Sequence, residues 1–369
     1  MRSRFRNALK IVEAPRVVRI WDQARTFHLE LLSSLAPSEL LYRTKNYSFS
    51  EELAAGANAK QVGVLRTLWM IAFGKHDVVE LNEPTMFKIW PILLAYTSMH
   101  RIRRLFDRNA PKAVVYAIDN LSLVDSMSAT FHISPRLVRY VLAPFFRYLF
   151  STFDRVAFGS AGAKTAYLDM LGDFPRRTET EVIVQISNPC SCVVVPQRRG
   201  HVVFVGSLEP RKGVLELMRS WETVERMDGN ATLTLVGKGE LEGAVRDWAS
   251  GRDRVSVLID PPRPVIHRTY REAELVVLLS QRVSRWREQI GLPILEGLGH
   301  GCRIITTDES GISQWLEEHG HVVLGGGAAD SDVAGAITEI LRESRSSDSV
   351  LADLPIAHGR VAADRWLTR

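Results

Sequence analysis

Short apolar runs rich in Val, Ile and Leu alternate along this chain with longer stretches whose apolar positions recur every three or four residues. The first pattern suits strands buried on both faces, and the second suits helices with one face on a core. In the first half, strands are predicted at 17–21, 40–43, 77–81, 113–118, 155–159 and 181–186, with helices such as 62–73, 91–106, 136–150 and 161–171 between them. The segment 188–200 breaks this rhythm with two prolines, two cysteines and a pair of arginines, and reads as a linker. The alternation then restarts. Strands are predicted at 202–205, 231–236, 254–259, 274–279, 303–307 and 322–324, and helices at 214–227, 241–249, 265–273, 292–299, 313–319 and 332–342. Strands alternating with helices predict parallel β-α-β units, hence an α/β chain of two doubly wound, Rossmann-like domains. The expected boundaries are 1–197 and 198–354.

Composition narrows the class. A chain of 369 residues is long for one core, and 46% hydrophobic with 24% charged residues is a globular profile that needs no staples. Cys190 and Cys192 are one residue apart and Cys302 sits alone in an apolar run, which is no disulfide framework. Cys-x-Cys alone offers too few ligands for a metal, and a reduced, cytoplasmic setting is expected. The basic N-terminus lacks a following apolar region, and the longest apolar stretch, near 89–96, contains Pro91. A spanning helix needs about 20 apolar residues, so none is predicted.

Charge is unevenly divided. Residues 1–200 carry 27 Lys and Arg against 17 Asp and Glu, leaving 20 against 25 for the remainder. The first half is thus suited to an anionic partner, such as a phosphate-linked acceptor or an acidic leaflet, or else merely carries a basic solvated surface. No nucleic-acid motif is present, and no such partner is expected.

Open α/β sheets bind ligands beyond the carboxyl ends of their strands. Gly206-Ser207-Leu208-Glu209-Pro210-Arg211-Lys212-Gly213 follows one predicted strand and opens onto a helix, placing two cations beside free backbone N–H groups. Glu288, Gln289, Ile290, Gly291, Leu292 and Pro293 follow another, with Pro293 suited to a first helical turn and Gly291 to close backbone approach. Glu288 and Glu296 bracket this helix start, and carboxylates accept hydrogen bonds from sugar hydroxyls.

The run E-Q-I-G-L-P-I-L-E-G-L-G-H-G-C-R-I-I-T-T-D-E-S-G from Glu288 resembles the Glu-x7-Glu element of family-four retaining glycosyltransferases. G-S-L-E-P-R-K-G and L-V-G-K-G-E are similar to that family's two preceding strand-loop elements, so the match spans about residues 202–325 in order and spacing. F-D-R-V-A-F-G-S-A-G-A-K-T-A-Y resembles, more loosely, the family's elements before its linker. The resemblance implies the GT-B fold, with two parallel sheets facing a central cleft and residues 355–369 returning to the first domain. It implies that Glu288 meets the donor sugar and Glu296 the nucleotide ribose. Lys212 and Arg211 would neutralise the diphosphate, aided by Gly206 and by backbone around Ile290, Gly291 and Leu292. The nucleotide base would lie near 259–264.

Three departures from the family's pattern stand out. Ser207 replaces an arginine, Ile290 replaces an aromatic, and Ile118 stands where a histidine often precedes Asp119. The paired-glycine loop after the first strand is also missing, its place taken by Asp22-Gln23-Ala24-Arg25. Candidate acceptor-side residues are Asp119, Asn82 and Glu83.

The implied activity is metal-independent transfer of a hexose from a UDP- or GDP-sugar to a saccharide or lipid-linked acceptor, with no cofactor. Asp330-Ser331-Asp332 suits a helix N-terminus better than a metal site. The basic first half places that activity in cell-envelope or exopolysaccharide synthesis. Two alternatives stay open: a sugar-nucleotide binder without turnover, and a dinucleotide-dependent oxidoreductase built on Gly237-Lys238-Gly239, whose glycine spacing is one residue off the fingerprint. The aromatic-basic stretch 136–153 is either a core face with arginines at its rim or an interfacial helix giving peripheral membrane contact.

Overall fold

A computed structural model describes residues 16–45, 49–107, 109–192, 196–283, 286–343 and 346–369. Two parallel sheets organise it. The first contains β1 (Val17–Ala24), β2 (Ser38–Lys45), β3 (Ala59–Gln61), β4 (Val78–Leu81), β5 (Lys112–Ala117), β6 (Arg155–Phe158) and β7 (Glu179–Val182), in the order β3-β2-β1-β4-β5-β6-β7. The second contains β8 (His201–Val205), β9 (Thr232–Gly237), β10 (Val255–Ile259), β11 (Leu275–Leu278), β12 (Arg303–Thr307) and β13 (Val322–Leu324), in the order β10-β9-β8-β11-β12-β13. Both are doubly wound: the chain leaves its first strand in one direction, then returns to add strands on the other side. β1 with β4, and β8 with β11, therefore flank the switch point where such sheets hold ligands.

Central strands are buried on both faces, as their unbroken apolar sequence requires. Val202, Val203 and Phe204 of β8 and all of β11 are buried, and so are Val78 and Val79 of β4. The edge strand β3 was not predicted, because Ala59-Lys60-Gln61 is polar and largely exposed, with no apolar run to reveal it. The helices Thr26–Leu32, Glu51–Gly56 and Leu123–Phe131 also lie outside the predicted set. β7 ends at Val182 instead of continuing to 186, yet Ile183 N and Gln185 N still donate to Phe158 O and Gly159 O at 2.9 Å each.

The helix Pro135–Phe150 puts one face on the core, as expected, and leaves apolar side chains exposed on the other. Val138, Leu142, Phe146, Leu149 and Phe150 enter the core, while Leu137, Tyr140 and Val141 on its other side are exposed. Among the described residues, every exposed large apolar side chain except Met227, Val283 and Ile356 lies in the first half of the chain. No described helix is long and apolar enough to cross a membrane.

The helix Gly359–Leu367 lies against β5 and β6 of the first sheet. Strand register sets its anchor. Arg19 of β1 stands directly opposite Glu80 of β4, and the two form a buried ion pair. Arg360 Nη2 lies 2.5 Å from the other oxygen of Glu80, and Asp364 Oδ1 lies 2.7 Å from Arg19 Nη2. Four charges thus neutralise one another out of water, and Asp364 Oδ2 also accepts from Ala36 N at 2.7 Å. Arg360 and Glu80 are both buried. The flanking charges hold the Glu80 carboxyl below its ordinary range despite that burial.

Candidate active site between the two sheets

The loop after β8 passes through a short 3-10 turn, Pro210–Lys212, to Gly213, which caps the helix Val214–Met227. Gly213 has φ +75°, and a Cβ there would lie 1.9 Å from Leu279 O. Only glycine permits this approach, which brings Lys212 to the carboxyl end of β11. Lys212 Nζ lies 2.5 Å from Glu288 Oε2, and the two side chains are only 13% and 10% exposed. Ser280 Oγ donates to the same carboxylate oxygen at 2.9 Å.

Arg211 sits on the outer side of this pair. Its Nε lies 2.5 Å from Glu209 Oε2, and its Nη2 is 3.5 Å from Ser207 Oγ. The Trp286 ring faces both cations, 4.4 Å from the Arg211 guanidinium carbon and 4.9 Å from Lys212 Nζ. Gly206 lies at the end of β8, its N–H bonded to Val236 O at 3.0 Å.

Gly291 is the N-cap of the helix Leu292–Gly299, with φ +86°. The first N–H groups of a helix have no partner within it, so this end favours an anion close to Lys212 and Glu288. Ile290 is buried beneath that end, and its carbonyl accepts from Ser310 Oγ at 3.0 Å. One turn into the helix, Glu296 Oε1 lies 2.6 Å from Arg263 Nη1. Arg263 Nη2 in turn approaches Glu30 Oε2 of the first domain at 3.7 Å.

A second link crosses between the sheets. Asn120 Nδ2, just beyond β5, donates to Glu288 O at 3.0 Å, and Gly311 N donates to the same oxygen at 3.1 Å. The carboxyl ends of both sheets therefore face one cleft, with Glu288 touching both walls.

The first-domain candidates are less uniform. Glu83 is turned inward, accepting from Ile118 N at 2.8 Å, from Asp119 N at 3.1 Å and from the Tyr167 hydroxyl. Burial, then the nearby charge of Asp119, pushes its carboxyl up to about 7. Asp119 is half-buried and accepts from Thr85 Oγ1 at 2.7 Å and from Leu121 N at 3.1 Å. Asn82 is half-buried and donates to Met86 Sδ at 3.0 Å. Asp330 and Asp332 lie in the first turn of the helix Asp330–Arg342, where Asp330 pairs with Arg219 at 3.0 Å. Its N-cap is Ala329, one residue earlier than the acidic run suggested.

Sequence reasoning missed Asn120, Trp286, Ser280 and the Arg263–Glu30 contact. Asn120 follows a strand, as any site residue of such a sheet must, but a single asparagine there is indistinguishable from a turn former. Trp286 and Ser280 lie in the polar loop between β11 and Glu288, where no spacing marks either of them out.

No curated protein matches this sequence. Residues 199–343 match the model of the family described as glycosyl transferases group 1. The fold of the whole chain is GT-B, with two parallel Rossmann-like sheets, and its second half is similar to group 1 glycosyl transferases.

Several solved structures are similar over nearly their whole lengths. The lipopolysaccharide outer core galactosyltransferase WaaB is 13% identical, with TM-score 0.66, over 96% of this chain and 99% of that one. A glycosyltransferase from Rickettsia africae is 11% identical, with TM-score 0.67, over 97% and 99%. HepE of Anabaena, solved in complex with UDP, is 14% identical, with TM-score 0.64, over 96% and 95%. At such identities these likenesses establish the shared fold.

Proposed function

We propose that this protein transfers a hexose from a UDP- or GDP-sugar to a hydroxyl of a saccharide or lipid-linked acceptor, with retention at the anomeric carbon and no divalent ion in the reaction. The observation that carries this reading is the meeting of Lys212 and Glu288 at a switch point beside a helix N-terminus capped by Gly291. In this reading the donor diphosphate lies on the helix end, between Lys212 and Arg211. The sugar hydroxyls face Glu288, and the ribose replaces Arg263 on Glu296. A structural neighbour, HepE of Anabaena, was solved in complex with UDP-glucose, which supports a nucleotide-sugar ligand here.

The reaction breaks the bond between the sugar's anomeric carbon and the diphosphate oxygen. Negative charge grows on the departing diphosphate, where Lys212, Arg211 and the helix N-terminus supply preorganised positive potential. The acceptor oxygen bonds to the anomeric carbon on the face the diphosphate leaves, and its proton passes to the leaving phosphate oxygen. Two cations and a helix end suffice for that charge, so the step needs no bound metal.

A role in cell-envelope or exopolysaccharide synthesis, with peripheral membrane contact, is supported by the basic first half. It is supported too by exposed Leu137, Tyr140 and Val141 beside exposed Arg136 on the helix Pro135–Phe150. A lipid-linked acceptor would be presented at that surface.

The test is binding and slow hydrolysis of a panel of UDP-, GDP- and ADP-sugars without added Mg2+ or Mn2+, comparing wild type with Glu296→Ala. One nucleotide class should bind, and its affinity should collapse in the variant. Binding of none of them, or an absolute need for added Mg2+ or Mn2+, would overturn the reading.

A further inference from the structure

The linker and the end of the donor-side helix bring together residues that lie far apart in sequence. Ligand atoms of Cys190, Cys192 and His300 all lie within 4.8 Å of one another. His267 stands outside this group but against His300, with its Nδ1 3.3 Å from His300 Nε2. Two cysteines one residue apart fall short of a metal site, but two cysteines and two histidines make a full tetrahedral set. We propose that Cys190, Cys192, His300 and His267 bind one Zn2+ ion.

The second shell supports the assignment. His300 Nδ1 lies 2.6 Å from Glu296 O. A carbonyl can only accept, so Nδ1 carries the proton and Nε2 is left with its lone pair. A metal-bound histidine needs this tautomer, and such residues usually donate their other N–H to a carbonyl or carboxylate. The Tyr270 ring stacks on His300 at 20° between planes and 5.6 Å between centroids, fixing the imidazole plane.

The cysteines are held as well. Cys190 N donates to Gly299 O at 2.7 Å, and Cys192 N donates to Cys190 Sγ at 3.4 Å, which fixes the two cysteines relative to each other. Both thiols are free and partly accessible.

Geometry and charge are compatible with zinc. Zn–S distances of about 2.3 Å and Zn–N distances of about 2.0–2.1 Å put neighbouring tetrahedral ligands roughly 3.3–3.8 Å apart. The two imidazole nitrogens already stand at that separation, the two sulfurs gather within 4.8 Å of His300, and side-chain rotation on binding would bring His267 in as the fourth ligand. Two thiolates balance the charge of Zn2+, and a sulfur–nitrogen set excludes Mg2+ and Ca2+, which require oxygen ligands. The ion would clamp the interdomain segment onto the carboxyl end of the helix Leu292–Gly299, one turn from Glu296. Its role is structural, and it is independent of the proposed reaction.

The test uses the full chain, free of any histidine tag, purified reduced and under argon. Titration with Co2+ should give one equivalent with the intense visible bands of tetrahedral thiolate coordination, displaced by Zn2+. Zn2+ should raise the melting temperature, and EDTA should reverse the rise. Cys190→Ser and Cys192→Ser should each remove the thiolate bands, and His300→Ala should weaken Zn2+ binding by more than about 100-fold, beyond the usual second-shell loss. An octahedral Co2+ spectrum, or equal binding by a Cys190→Ser/Cys192→Ser protein that keeps its far-UV circular dichroism, would overturn the site. Recovery of Cys190 and Cys192 as a disulfide from cells lysed in alkylating agent would overturn it in favour of a redox pair. An unchanged spectrum in His267→Ala would overturn the fourth ligand.

Discussion

Lys212 and Glu288, 76 residues apart, meet with Nζ 2.5 Å from Oε2 in a nearly enclosed pair. In the proposed reaction a donor diphosphate would compete with Glu288 for that ammonium group, and the pair would keep the cation in place before substrate arrives. Lys212→Ala should lower turnover by about 10²–10³, the usual loss for one preorganised partner of a developing anion. Glu288→Gln keeps the shape and the Ser280 contact, and should lower turnover more than it alters donor affinity. Donor hydrolysis kinetics check both. Wild-type turnover in Lys212→Ala would remove Lys212 from the site.

Asn120 reaches across the cleft to Glu288 O, the one main-chain group of the second domain that it holds through Nδ2. Asn120→Ala should leave global stability within about 1 kcal/mol, the net worth of one hydrogen bond, because Gly311 N still satisfies that carbonyl. Turnover should fall further than stability does, since the bond aligns Glu288 with the first domain. Parallel urea melts and kinetics separate the two effects.

Glu83 gives a pH signature. Its folded-state value of about 7 lies above the ordinary 4.5, so the folded protein holds this proton more tightly than the unfolded chain does. The resulting stability is fully present below about pH 4.5 and is lost as pH rises through 7. Glu83→Gln, which keeps a carbonyl for the Ile118 and Asp119 N–H groups, should abolish that slope. At pH 8 it should be more stable than wild type by about 2–4 kcal/mol. Urea melts from pH 5 to 8 test this, and parallel slopes for the two proteins would refute it.

The buried Arg19, Glu80, Arg360 and Asp364 cluster ties the C-terminal helix to the first sheet. Removing one partner strands the others without water. Arg360→Ala should therefore cost about 3–5 kcal/mol. Its effect should appear in the unfolding of the first domain, followed by hydrogen exchange, while donor binding by folded protein persists.

Gly213→Ala probes the turn that delivers Lys212. The added Cβ would meet Leu279 O, and its φ of +75° is itself unfavourable for alanine. A loss of about 2–3 kcal/mol or more is expected in chemical denaturation.

Hydrophobic periodicity alone determined much of this protein. Central strands and their covering helices were legible because burial on both faces demands unbroken apolar runs, as in Val202, Val203 and Phe204. β3 and the short helices were not, because their residues are polar and their position depends on neighbours. The placement of Glu288, Gly291 and Glu296 beyond a strand was legible too, since side chains at a helix start are fixed by a few local dihedrals.

Tertiary structure decided the partners. No local pattern states that Lys212 meets Glu288, that Asn120 crosses from the other sheet, that Arg263 occupies Glu296, or that His300 meets a cysteine pair. It also decided that Glu83, polar and placed after a strand, turns inward to Tyr167 and does not face the cleft. Spacing along the chain fixes what one element can present, whereas pairings across elements follow from strand order and from the close packing that register imposes.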